Sequence, residues 1–167
     1  MINAEDEPSS ADDSSEAEKP AASGNFVGNG YTLDIDESKW SNISSSIAGV
    51  DCAFSYVGDT SLASANFNVI AQSGAGGISI SDAVELIQQQ YVSQGYTVSK
   101  DELTKFNGYD AYIAAMEIEQ GGMKLKMNQI AMIENDTLYL ISYGSDSSVF
   151  DSVEPEFNTV LSTFAIS

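Results

Sequence analysis

The sequence predicts an α+β fold: a three-layer α/β/α sandwich whose central antiparallel sheet has about six to seven strands, with helices on both faces. Three observations predict it. The segment Leu138-Tyr139-Leu140-Ile141-Ser142-Tyr143 is apolar on both faces of a strand, and Gln129-Ile130-Ala131-Met132-Ile133 nearly so. A sheet with one wet face alternates apolar and polar residues in its middle strands, so these two segments require cover on both sides. Three tight-turn signals, Asn107-Gly108, Gly121-Gly122 and Asn135-Asp136, separate strand-like runs and imply four consecutive antiparallel strands. Two amphipathic helical stretches are available as the outer layers.

Taken in order, Tyr31 to Ile35 reads as a short strand with Tyr31, Leu33 and Ile35 on one face, followed by a turn-rich segment, Asp36 to Trp40. Asp51 to Tyr56 reads as a second strand. After a turn at Gly58-Asp59, Ser64 to Ala71 is a third, with Ala65, Phe67, Val69 and Ala71 alternating against Asn66 and Asn68. A glycine-rich connection, Ser73 to Gly77, leads to a helix whose apolar face carries Ile80, Val84, Ile87 and Tyr91, with Leu86 beside them. Ser81 is expected as its N-cap, Asp82 suits the positive end of its dipole, and Gly95 stops it. Tyr96 to Leu103, Tyr109 to Glu119, Met123 to Ile133 and Thr137 to Tyr143 are the four hairpin-linked strands. A final helix carries Phe157, Val160, Leu161 and Phe164 at helical spacing. It is expected to begin between Ser148 and Glu154, where Asp151-x-x-Glu154 resembles a capping box and Pro155 suits a first turn.

The chain divides once. Residues 1–25 form an acidic Ser/Ala/Glu-rich segment; from Ala4 to Ser23 there is neither an aromatic nor a β-branched residue. Such a stretch buries too little apolar surface to offset its ordering entropy, so it is expected to be a disordered, self-repelling linker. Residues 26–167 form the globular domain. Met1-Ile2-Asn3 runs directly into acidic residues without an apolar signal segment, which leaves an export signal upstream or a cytoplasmic protein as the two expectations.

Charge and composition exclude much. There are 25 acidic residues against 6 lysines, a formal net charge of −19. Such a chain repels phosphate backbones and anionic lipid surfaces, so no nucleic-acid partner is expected, and no membrane contact other than through an anchor. Histidine is absent, which removes Ser-His-Asp and Cys-His sites and Cys/His zinc sites. Cys52, the one cysteine, sits in the apolar run Cys52-Ala53-Phe54 and reads as a buried, inert thiol. No cofactor is expected.

Several weaker signals carry candidate chemistry. Trp40, Tyr109 and Tyr112 are the candidate ligand-binding residues, as an aromatic platform; the bland reading is that they are core. Asp34, Asp36 and Glu37 offer oxygen ligands to calcium, without the twelve-residue loop and its glycine. Gly74-Ala75-Gly76-Gly77 stands between a strand and a helix as phosphate loops do, but lacks the Lys-Ser/Thr ending. A Ser-Lys dyad through Lys100 or Lys105, and a carboxylate pair for hydrolysis, are formally open. Lys124 and Lys126 share one strand face and read as guards of an edge or strand end.

The order of elements then resembles a known family. It is carried by Tyr31-Thr32-Leu33-Asp34-Ile35 leading to Trp40, Asn66-Phe67-Asn68-Val69 before a helix, and the hairpin Phe106-Asn107-Gly108-Tyr109-Asp110-Ala111. The closing strand Leu138 to Tyr143 and the helix ending Phe157-Asn158-Thr159-Val160-Leu161-Ser162-Thr163-Phe164 complete it. This resembles the PsbP-like superfamily, over most of residues 26–167. The resemblance implies a non-catalytic binding or scaffold role. In the bacterial lipoprotein branch it implies an extracytoplasmic domain, lipid-anchored at the cell surface through an acidic linker after a modified cysteine. The expected function is therefore a monomeric binding domain for a protein, peptide or glycan. A cytoplasmic adaptor or chaperone-like protein of the same fold, and a carboxylate-dependent hydrolase, are the alternatives.

Overall fold

The computed structural model describes residues 18–167. The elements run β1 (Phe26–Val27), β2 (Tyr31–Leu33), β3 (Trp40–Asn42), β4 (Cys52–Tyr56), β5 (Asn66–Ser73), α1 (Ile80–Ser93), β6 (Thr97–Phe106), β7 (Tyr109–Gln120), β8 (Met123–Glu134), β9 (Thr137–Asp146), α2 (Phe150–Leu161) and β10 (Ala165–Ile166). Seven strands form one antiparallel sheet in the order β3-β4-β5-β9-β8-β7-β6, and β1, β2 and β10 form a small second one.

The register follows from the turns. Asn107 and Gly108, Gly121 and Gly122, and Asn135 and Asp136 all have positive φ, the backbone that a two-residue type I′ hairpin demands. The strands therefore close tightly at Phe106↔Tyr109, Gln120↔Met123 and Glu134↔Thr137. With register fixed, side chains sort into cross-strand rows. Cys52, Val69, Ile141, Ile130 and Ile113 lie in one row on one face. The neighbouring row, Ala53, Asn68, Ser142, Gln129 and Ala114, lies on the other.

Both faces are covered, by different layers. Ile80, Ala83, Ile87 and Tyr91 of α1 pack on Tyr112, Ala114, Met116 and Ala131. On the opposite face Phe150, Val153, Phe157, Val160 and Leu161 of α2 join Trp40, Phe67, Ile141 and Tyr143. The Phe157 ring lies 5.0 Å from Tyr143 and 5.6 Å from Trp40. The three-layer sandwich of the sequence reading is thus present, with one addition. The small sheet extends the α2 layer, Tyr31 stacking on Phe164 at 5.1 Å. Tyr31–Leu33 therefore belongs to an outer layer, not to the central sheet. Trp40, read as part of a turn, instead opens the edge strand β3 opposite Tyr56.

Local details depart from expectation for clear reasons. The N-cap of α1 is Ser79, not Ser81: its hydroxyl accepts from Asp82 N–H while the Asp82 carboxylate accepts from Ser79 N–H, a reciprocal capping box. Leu86, placed beside the apolar face, is 64 % exposed. The α1 end is as expected: Gly95 takes φ 76° and Tyr96 N–H reaches back to the Tyr91 carbonyl. The N-cap of α2 is Val149, with no side-chain cap. Asp151 instead pairs with Lys126 at 3.1 Å, and Lys126 also lies over the Phe150 ring. Lys124 and Lys126 accordingly stand near the end of an interior strand, the second and fourth residues of β8, and not on an edge strand. Pro155 lies in the second turn of α2 on its exposed side, where it has no amide to offer the Asp151 carbonyl.

Of the segment read as a linker, residues 1–17 fall outside the described residues. Residues 18–25 lie against the domain. The Asn25 side chain donates to the Ile35 carbonyl and accepts from Ile35 N–H, each at 2.8 Å. The Lys19 ammonium sits 3.4 Å from the Glu134 carboxylate and 4.7 Å from the centre of the Tyr109 ring.

One side chain ties the hairpin to the outer layer. Asn107, left-handed at φ 48°, donates through Nδ2 to the carbonyls of Leu161 and Phe164 at 2.9 and 3.0 Å. Asn107→Gly keeps the backbone and loses both bonds, and is expected to cost about 1–2 kcal/mol. Asn107→Ala also strains the turn and is expected to cost about 1 kcal/mol more. Urea unfolding of both variants checks this; a neutral Asn107→Gly would remove the lock from the account, and equal costs would remove the strain.

Candidate functional site

The three aromatics expected as a platform do not form one. Trp40, Tyr109 and Tyr112 are 3, 4 and 2 % exposed. Tyr109 and Tyr112 are three residues apart on one strand and so point to opposite faces. Trp40 and Tyr109 belong to the core under α2 and Tyr112 to the core under α1. Each has structural work: Trp40 packs against Tyr56 and Phe67, and the Tyr109 hydroxyl accepts from Ile166 N–H at 2.9 Å. The Tyr112 hydroxyl donates to Asp101 at 2.6 Å.

The acidic and polar candidates are also accounted for. The Asp36 carboxylate accepts from the amide and hydroxyl of Ser38, and Asp59 and Asp146 do the same with Ser61 and Ser148. Asn42 closes a matching turn with Ser44. These donors hold Asp36, Asp59 and Asp146 below the usual carboxylate range. Among the described residues no group of three His, Cys, Asp or Glu side chains is close enough to hold a metal ion, so Asp34, Asp36 and Glu37 do not converge. In the glycine-rich loop, Gly74 and Ala75 donate to the Asp136 carbonyl and Gly77 to its carboxylate. Those amides fasten the loop to the β8–β9 turn and are not presented to a phosphate. Lys100 and Lys105 lie 3.8 Å from Glu102 and 2.7 Å from Asp110 on exposed surface, where each is ion-paired with a carboxylate. Cys52 is fully buried; burial pushes its thiol up to about 11, and the Tyr31 hydroxyl lies 3.0 Å from its sulfur.

The carboxylates with displaced titration all move down, Asp101 through the Tyr112 hydroxyl and Gln88, and Asp82 through Ser79. A pair with opposed shifts, the mark of a carboxylate acid-base site, is not found among them.

What the fold does build is a groove of about 540 Å³ between the start of α1 and the sheet. Ser79, Ile80 and Ser81 form one wall, and Leu103, Asp110 and Ile133 are among the residues of the other. Leu103 is 54 % exposed, on the edge strand β6. Sequence reading missed this place because Leu103 counted as one apolar residue at a strand end. The signal was the parity of β6: Leu103 shares a face with Asp101, next to the buried Tyr112, and so lies beside α1 and not in open solvent.

The fold defines the class: this is a PsbP-like fold. Cyanobacterial PsbP (CyanoP) from Synechocystis sp. PCC 6803 is similar at 16 % identity and a TM-score of 0.53, over 88 % of this chain and 98 % of that one. LpqN of Mycobacterium tuberculosis, described as involved in cell envelope biogenesis, is similar at 12 % identity and a TM-score of 0.60, over 86 % of this chain and 87 % of that one. A Pseudomonas aeruginosa protein of unknown function, described as a putative regulator, gives 14 % identity and a TM-score of 0.61 over 81 % of this chain and 96 % of that one. No protein-family profile matches the chain, and no curated protein sequence matches it.

Burial makes the core sensitive to alkali. It raises the hydroxyls of Tyr31, Tyr91 and Tyr143, and that of Tyr112 from 10.0 to about 12. A group whose folded pKa is raised keeps its stabilisation below the unfolded value and loses it as pH climbs through the folded one. Stability is therefore expected to fall from about pH 10 upward, at about 1.4 kcal/mol per pH unit for each buried group. Tyrosinate absorbance should rise together with loss of near-ultraviolet circular dichroism. A smooth rise complete below pH 11 with the fold intact would contradict it.

Proposed function

We propose that this chain is a non-catalytic binding domain working outside the cytoplasm as a monomer, held at the cell surface by a lipid anchor through the acidic segment of residues 1–25. Its partner is a protein, peptide or glycan. The observation that carries the reading is the groove at the start of α1: it is open, it has an apolar side chain on each side (Ile80 on one, Leu103 and Ile133 on the other), and its carboxylate, Asp110, is engaged by Lys105. A site of this kind recognises shape and apolar side chains. The involvement of LpqN in cell envelope biogenesis supports the location, as does the linker-like composition of the amino-terminal segment.

Fractionation of the native host tests the location. The protein is expected in the envelope fraction, open to protease on intact cells, with maturation of its precursor blocked by globomycin. Recovery in the soluble cytoplasmic fraction would replace this reading with the adaptor alternative.

A further inference from the structure

We propose that the outer side of β6, with the adjoining groove, receives an extended cationic peptide segment of a partner protein, which adds to the sheet as an eighth strand and seats an apolar side chain beside Leu103 and Ile80. This deepens the binding-domain reading and rests on it.

The sheet has two edges of very different character. The β3 edge is three residues long, and its first side chain, Trp40, is buried. The β6 edge is ten residues long and exposed along nearly all of its length. Among the described residues no strand pairs with its outer side, where alternate residues present their amides and carbonyls. Natural edges are blunted by bulges and lysines. Here the register shift lies between Val98 and Lys100, at the start of the strand, and leaves Lys100 to Phe106 regular against β7. The two lysines of that stretch are countered by Glu102 and Asp110. A strand added here gains main-chain bonds from the edge, and side chains on its α1 face meet the groove, the two ingredients of recognition by strand addition.

Charge selects the occupant. The chain carries a net −19, and on or beside the edge the three carboxylates Asp101, Glu102 and Asp110 outnumber the two lysines, Lys100 and Lys105. The described chain begins close by: Lys19 touches Glu134 and Tyr109, the sequence neighbours of the groove residues Ile133 and Asp110. The residues before it include Glu5, Asp6, Glu7, Asp12, Asp13 and Glu16 and no lysine. A second copy of this chain would carry the same excess of negative charge and be repelled; a lysine- or arginine-bearing strand is drawn in.

The test uses the full chain and a labelled peptide of about ten residues alternating lysine and valine around one leucine, with a matched glutamate peptide as control. Fluorescence anisotropy is expected to show binding of the lysine peptide and not of the glutamate one. Amide exchange by NMR is expected to slow at alternate residues of Thr97–Phe106. Leu103→Lys, at an exposed position that leaves folding intact, is expected to weaken binding about tenfold. Absence of binding, equal binding of both peptides, protection away from β6, or a dimer that protects β6 without peptide would each overturn the proposal. Because cellular location is read separately, an envelope protein that ignores the peptide loses only the β6 assignment, whereas a cytoplasmic one loses the parent reading.

Discussion

The rest of the structure depends on β9 being apolar on both sides, buried under the α2 layer and partly buried at Leu140 on the other. Tyr139, Ile141 and Tyr143 face the α2 layer and Leu140 and Ser142 face the other, while β5 and β8 flank the strand within the sheet. Full burial of a large apolar side chain contributes about 1.5–3 kcal/mol, so neither face can be left wet cheaply. Register and burial enforce each other. A slip of one residue would exchange the two rows and turn Ser142 and Gln129 toward the α2 core. The positive-φ turns at both ends of β8 forbid that slip, because each closes its hairpin on one residue pair.

Tyrosine then joins the layers. Tyr31 donates to Asp51, Tyr91 to Gln129, Tyr112 to Asp101 and Tyr139 to the Gly30 carbonyl, while Tyr143 accepts from Asn128. Each places an apolar ring in a core and its hydroxyl on a neighbouring element, which satisfies a group that would be costly to bury alone. Gln129 passes the contact on to Ser142, so a polar thread runs beneath α1 from the helix to the centre of the sheet. Aromatic richness in this chain is therefore a property of the joints between layers.

The sequence was most legible where the physics is local or periodic. The hairpins were readable because few residues tolerate positive φ twice in succession, and the double cover of the sheet because Leu138 to Tyr143 has no polar face. The small sheet was not, since strands of two and three residues, Phe26–Val27 and Ala165–Ile166 among them, are too short to show a period. The site was hardest. Trp40, Tyr109 and Tyr112 were singled out by residue type, yet type does not separate a ring in the core from a ring on a surface. Parity does: residues 109 and 112 cannot share a face of one strand. The repeated Asp-x-Ser at 36, 59 and 146 was likewise present in plain view, as three carboxylates that cap their own turns.

The two outer layers are staggered, and that stagger decides where a partner can approach. α1 lies over β6, β7 and β8, while α2 lies against β9, with the small sheet beside it. The edge at β3 is closed by a Trp pressed into the α2 core, whereas the edge at β6 has α1 above one face and, among the described residues, no strand at its side. A helix laid along a sheet edge makes a wall for any chain that adds there, and its first turn, held by the Ser79–Asp82 box, leaves the notch that ends in Leu103. The acids that crowd the surface are in large part committed to turns and ion pairs, so they act through their summed field and not as reagents. A fold so arranged offers, among the described residues, an unpaired backbone edge, an apolar notch beside it and a negative field around both, and the proposed recognition of an extended, positively charged chain rests on these three together.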